Sequence, residues 1–202
     1  VTEPSDERLM LRYQAGEIGA FEVLLRRHRA TLHAFLVRLV GDAARAEDLS
    51  QETWLKIVAA APRWERRARF TTWAFAIARN VALDEARRAA HRAASPLDAA
   101  RDGALAPAET VAADDPGPDR GAESALMRPK LEAALQALPV EQREVFLLRE
   151  YAGVPFAEIA EITGAPVPTV KSRMRYALEA LRNELARLGV LPDDAAARSA
   201  LP

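Results

Sequence analysis

Phe156-Ala-Glu-Ile-Ala-Glu-Ile-Thr-Gly-Ala-Pro-Val-Pro-Thr-Val-Lys-Ser-Arg-Met-Arg175 places three steric constraints at the offsets of a helix-turn-helix. Ala160 keeps a helix crossing small, Gly164 supplies the positive φ that ends the first helix, and Val170 is an apolar lock in the second. Pro168 presets the first turn of the second helix and holds Val167 extended before it. At about 100° per residue, the second helix gathers Val170, Met174, Ala177, Leu178, Leu181 and Leu185 into one stripe, which predicts core. Thr169, Ser172 and Tyr176 fall opposite, flanked by Arg173 and Arg175, and from 165 to 182 Lys171, Arg173, Arg175 and Arg182 outnumber Glu179. Hydroxyls and guanidinium forks on such a face suit base edges and phosphates in a major groove. The alternative is a solvated basic face, and the motif by itself serves repressors, activators and other readers equally.

Working outward, helical spacing of apolar residues predicts helices at 124–137 and 139–151 ahead of the motif's own at 155–163 and 167–188, with Pro139 and Pro155 in first turns. Before residue 93 the same spacing predicts helices at 5–15, 17–40, 42–60 and 71–91. Gly16 and Gly41 act there as stops, and Asp42 and Thr71 or Thr72 as N-caps. Between them, Ala112-Ala-Asp-Asp-Pro-Gly-Pro-Asp-Arg-Gly121 typifies a stretch with little to bury, where from 92 to 123 three arginines face seven carboxylates. The expected fold class is therefore all-α: two small helical domains, 5–92 and 124–189, joined by a flexible acidic linker, 93–123, with a frayed tail at 190–202.

Composition narrows the function. The 202 residues carry a formal charge of -1, which excludes coating nucleic acid by bulk positive charge and leaves only local patches. With no cysteine and three separated histidines, disulfides, thiolate sites and a zinc centre are not expected, nor any other metal or cofactor. The start, Val1 to Arg12, is polar and acidic, and no uncharged run is long enough for a signal peptide or membrane span, so a cytoplasmic chain without membrane insertion is expected. His28 and His33 lie about 140° apart on their helix and His91 is remote, so no nucleophile, base and orienter set is visible; neither an enzyme nor a small-molecule substrate is expected.

Two features of the first domain bear on partners. Pro62-Arg-Trp-Glu-Arg-Arg-Ala-Arg-Phe70 packs four arginines and two aromatics into a short loop. Rings that stack on base faces, beside guanidinium groups that hold a backbone, are what unpaired bases need. Trp64 and Phe70, in the loop, are the candidate platforms, whereas Trp73, Ile77 and Val81 follow core spacing. Arg79, Asn80, Leu83 and Arg87 extend a strip along the next helix. Asp48, Gln51, Glu52 and Leu55 form an i, i+3, i+4, i+7 ridge opposite the buried series Ala46, Leu49, Thr53 and Ile57. Such a ridge is either merely solvated or docks a basic partner helix.

Three passages together resemble a known family: Ala46-Glu-Asp-Leu-Ser-Gln-Glu-Thr-Trp-Leu55, Phe70-Thr-Thr-Trp-Ala-Phe-Ala-Ile-Ala-Arg-Asn-Val-Ala-Leu-Asp84, and Leu138-Pro-Val-Glu-Gln-Arg-Glu-Val-Phe-Leu-Leu-Arg149 leading into the helix-turn-helix. In this order the chain is similar to bacterial RNA polymerase sigma factors of the sigma-70 family, extracytoplasmic-function (ECF) group, which keep only regions two and four. The resemblance implies that Asp48, Gln51, Glu52 and Leu55 bind the β′ clamp coiled coil of core RNA polymerase, and that region four meets the β flap. It implies that Arg63, Trp64, Arg66, Arg67, Arg69, Phe70, Arg79, Asn80 and Arg87 meet minus-ten promoter DNA and capture a flipped base. Thr169, Lys171, Ser172, Arg173, Arg175 and Tyr176 would read the minus-thirty-five duplex. An anti-sigma factor that holds the protein inactive is implied as a further partner. Pro168, Arg175 and Tyr176 depart from residues common in the family, and the Trp64 loop is more basic than usual, so promoter preference does not transfer. The competing expectation is an autonomous helix-turn-helix regulator with an N-terminal sensing or dimerisation module, which would bind duplex DNA alone.

Overall fold

The computed structural model describes residues 3–94 and 118–191, which form two separate helical units; the expected linker segment 95–117 and tail segment 192–202 lie outside the described residues. Among the described residues there is no strand.

The first unit holds α1 (Asp6–Gln14), α2 (Ile18–Val40), α3 (Ala43–Ala60), a 3-10 turn (Ala61–Arg63) and α4 (Phe70–Ala94). Local chemistry sets the boundaries. The Ser5 hydroxyl accepts from Arg8 N–H, while Asp6 and Glu7 put negative charge at the positive end of α1. Gly41 takes φ +75° and donates to the Val37 carbonyl at 2.8 Å, closing α2 in a conformation that would strain a larger residue. Asp42 then caps α3 by accepting from Arg45 N–H at 3.1 Å. α2 packs on α1, α3 and α4. Leu24, Leu32, Phe35, Leu36, Ile57, Phe75, Ala78 and Val81 fill the core, with Phe35 edge-on to Phe75 at 5.2 Å. The series Ala46, Leu49, Thr53 and Ile57 is buried as expected.

One N-cap expectation is overturned. α4 starts at Phe70, so Thr71 and Thr72 are inside it, and the first amide is bonded by Glu7 of α1, 63 positions away, at 3.2 Å. A remote carboxylate displaced the local hydroxyls because α1 packs beside the start of α4.

The second unit comprises α5 (Pro118–Gln136), α6 (Val140–Glu150), α7 (Phe156–Thr163) and α8 (Val167–Arg187). α8 is the spine, with α5, α6 and α7 packed on it; Ala134, Leu135, Leu138, Ala177 and Leu181 form the core cluster beneath α5. Buried Arg143 ties the α5–α6 turn: one nitrogen bonds the Gln136 side chain, and the other donates to the carbonyls of Gln136 and Leu138 at 3.0 and 3.1 Å. α7 ends at Gly164 with φ +68°, as the sequence requires.

Four details differ from expectation. α5 begins at Pro118, within the segment read as linker. Pro139 and Pro155 occupy N-cap positions, one residue ahead of the first turn. Val167 is already helical and Pro166 is the extended residue (ψ 146°), leaving Pro168 inside the first turn. Leu178 is 50% exposed, at the edge of the α8 stripe.

Candidate functional site

In the first unit the chemistry gathers on α3, on the loop after it and on α4. Asp48 and Gln51 are exposed, and Leu55 is 70% exposed. Glu52 is half-buried, bonded to Lys56 at 2.9 Å and to Arg88 of α4 at 3.5 Å. The Lys56 hydrogen bond, against some desolvation, holds its carboxyl below the ordinary glutamate range. The ridge is therefore less acidic than its letters suggest, since Glu52 already serves the α3–α4 contact. Lys56, Asp84, Arg87 and Arg88 line an open groove with it.

The loop exposes Arg63, Arg66, Arg67 and Arg69. Arg67 pairs with Glu65 at 2.5 Å. The two aromatic platforms are a correction: Trp64 is 6% exposed and Phe70 fully buried, so neither offers a face to a base. Half-buried Trp73 lies between them, its ring centroid 6.4 Å from Trp64 and 6.0 Å from Phe70. The loop closes over an apolar patch whose cheapest cover is its own flanking rings, and this burial outweighs exposing them. Along α4, Asn80 is exposed, Arg79 is half-buried, and Arg87 is exposed beside Asp84 at 3.2 Å.

Two side chains absent from the sequence reading hold this loop. Gln14 donates its amide to the carbonyls of Ala61 at 2.7 Å and Trp64 at 2.9 Å, and Glu7 accepts from Phe70 N–H. Their partners lie 47 to 63 positions away, so periodicity and motif spacing carried no trace of them.

On α8, Thr169, Lys171, Ser172, Arg175 and Tyr176 are exposed and Arg173 is half-buried. The Arg175 guanidinium lies 4.8 Å from the Tyr176 ring centroid, a cation–π pair that restrains both. The Ser172 hydroxyl donates to the Pro168 carbonyl at 2.9 Å, which leaves its oxygen lone pairs as acceptors.

Among the described residues no group of three or more His, Cys, Asp or Glu could hold a metal ion, and no helix is long and apolar enough to cross a membrane. His28 instead meets Asp6 at 2.7 Å, and His33 faces Glu47 at 3.8 Å.

Residues 24–92 match the family model of sigma-70 region 2, and residues 128–181 that of sigma-70 region 4. The chain is 30% identical to RNA polymerase sigma-H factor of Pseudomonas aeruginosa, over 93% of this chain and 97% of that one. It is 36% identical to the ECF RNA polymerase sigma factor SigL of Mycobacterium tuberculosis, over 87% and 94%. Among solved structures it resembles the sigma factor RpoE of Bartonella quintana, crystallised with the anti-sigma factor NepR, at TM-score 0.68 and 25% identity over 83% of this chain and 98% of that one.

Proposed function

The chain belongs to the sigma-70 family of RNA polymerase sigma factors, in its ECF group, and from that premise we propose how its parts divide the work of starting transcription. The α3 ridge, Asp48, Gln51, Glu52 and Leu55, attaches the factor to the β′ clamp coiled coil of core polymerase, with Leu55 as an apolar anchor inside a polar frame. The exposed arginines Arg63, Arg66, Arg67 and Arg69, continued by Arg79, Asn80 and Arg87, hold the minus-ten strand. With Trp64 and Phe70 buried, the loop acts through guanidinium planes and backbone contacts. Thr169, Lys171, Ser172, Arg173, Arg175 and Tyr176 read the minus-thirty-five duplex from the major groove while the second unit meets the β flap.

The chain supplies no covalent chemistry. Extruding a base costs a few kcal/mol, roughly, and binding energy offsets it. The protein works in the cytoplasm beside the polymerase, and an anti-sigma factor, a class of partner crystallised with the similar Bartonella protein, covers its polymerase-binding surfaces until a signal releases it. An autonomous regulator is not favoured, because both halves of the chain match sigma regions in order.

The observation that carries this reading is the loop of four exposed arginines that follows α3, in the segment that matches region 2. Reconstitution with core polymerase tests it. The pair Asp48→Ala and Leu55→Ala is expected to weaken core binding by about tenfold or more. Replacing Arg66, Arg67 and Arg69 by alanine is expected to spare core binding and abolish promoter-dependent run-off transcripts. Full transcription by both variants would refute the division of roles.

A further inference from the structure

The arginine loop is poorly equipped to hold its own shape. Four guanidinium groups within residues 63–69 repel one another, offset inside the loop only in part by the Arg67–Glu65 pair. Inside it the backbone closes a tight turn, Arg67 N–H to the Glu65 carbonyl at 2.7 Å. Its two roots are also held from outside, and α1 hydrogen-bonds to both.

At the first root Gln14, the last residue of α1, commits its amide nitrogen to the carbonyls of Ala61 and Trp64, the turn that launches the loop. At the second root Glu7, in the first turn of α1, caps α4 through Phe70 N–H. The two side chains are two helical turns apart, about 10 Å along one rigid rod, so α1 spans the base of the loop. Burial pushes the Glu7 carboxyl up, but its own amide, the Phe70 amide and the Ser5 hydroxyl together bring it below the ordinary glutamate range. Glu7 is thus an anion at neutral pH, a stronger acceptor than a neutral group and well placed at the positive end of α4. α1 is itself fixed to α2. Asp6 accepts from Arg27 at 2.8 Å and meets His28 at 2.7 Å, while the His28 ring packs 5.4 Å from Phe70.

We propose that Glu7 and Gln14 are positioning residues for strand opening: α1 grips both roots of the arginine loop and presents it already shaped to receive an unstacked base. The physical gain is preorganisation, since a loop ordered before DNA arrives loses less conformational entropy on binding. This inference rests on the reading of the loop given under Proposed function.

The test uses holoenzyme assembled from the full chain and core polymerase. Gln14→Glu sets a carboxylate against two carbonyl oxygens, and Glu7→Ala removes the cap. Both are expected to slow initiation on a duplex promoter by about tenfold or more, the order expected when buried partners lose their hydrogen bonds. Glu7→Gln keeps an acceptor oxygen and is expected to stay within about threefold of the parent. Core affinity is expected to be unchanged, and a template mismatched across its minus-ten segment is expected to recover most of the rate, because no base has to be extruded. The proposal is overturned if Gln14→Glu and Glu7→Ala initiate normally on duplex DNA. It is equally overturned if their defect is matched by lost core affinity, or persists undiminished on the mismatched template. The Arg66, Arg67 and Arg69 alanine variant separates the two levels: normal initiation by it refutes the loop reading itself. Impaired initiation by it, with Glu7 and Gln14 variants intact, removes only the positioning role.

Discussion

At Trp64 and Arg66, two positions apart, the same loop puts opposite physics side by side. Trp64 is buried against Trp73, so its ring contributes to the fold of the first unit, whereas Arg66 is exposed and contributes charge to the surface. Trp64→Ala is expected to destabilise that unit by about 3–5 kcal/mol, the range for truncating a large buried aromatic, read as a lower urea midpoint of the full chain. Arg66→Ala is expected to leave the midpoint unchanged and to weaken promoter binding. An unchanged midpoint in Trp64→Ala would return this ring to the list of base platforms. The residue type alone could not separate these roles, because an aromatic beside arginines serves equally as a stacking platform or as the loop's own apolar cover. The outcome depends on Phe70 and Trp73 being brought to the same patch by α4.

At the scale of elements, α8 divides its circumference between packing and the face proposed to read the minus-thirty-five duplex. Val170, Met174, Ala177 and Leu181 face α5, α6 and α7, and the polar residues opposite are left to solvent. Lys171 is a compact point charge, suited to a phosphate, whereas Tyr176 is held under Arg175 on the exposed face. Lys171→Ala is expected to weaken holoenzyme binding to all promoters alike and to lower the slope of log affinity against log salt by about 0.9. Tyr176→Ala is expected to change the ranking of minus-thirty-five sequences with little change in slope. Titrations at several salt concentrations check both, and identical behaviour of the two variants would show that the face does not separate phosphate from base contacts. This stripe was legible from helical period alone, except at Leu178, which lies at its exposed edge.

At the scale of the whole molecule, acid stability follows from a few carboxylates. Asp6 is held below its ordinary value of 3.8, first by the His28 hydrogen bond, then, against desolvation, by Arg27, and Glu7 and Glu52 are held below 4.5. A group whose folded value is depressed stabilises the fold fully above its unfolded value, and that stabilisation is lost as pH falls through the folded one. Melting temperature is therefore expected to hold down to about pH 5 and to fall below it. Asp6→Asn is expected to flatten that acid limb while lowering the plateau at neutral pH. A parallel curve for Asp6→Asn would show that the Asp6, Arg27 and His28 cluster contributes nothing to the pH dependence.

The order of the helices, the helix-turn-helix, the α3 ridge and the arginine loop were all determined by the sequence itself. Period, glycine stops and local caps such as Ser5 and Asp42 act within a few residues, and a motif of charge is written in consecutive letters. Only the tertiary structure decided that Trp64 and Phe70 turn inward, that Glu52 is shared with Arg88, and that Glu7 and Gln14 brace the loop. Each of these depends on groups dozens of positions apart meeting across packed helices. Burial and long-range hydrogen bonding are properties of that meeting, not of any segment that takes part in it.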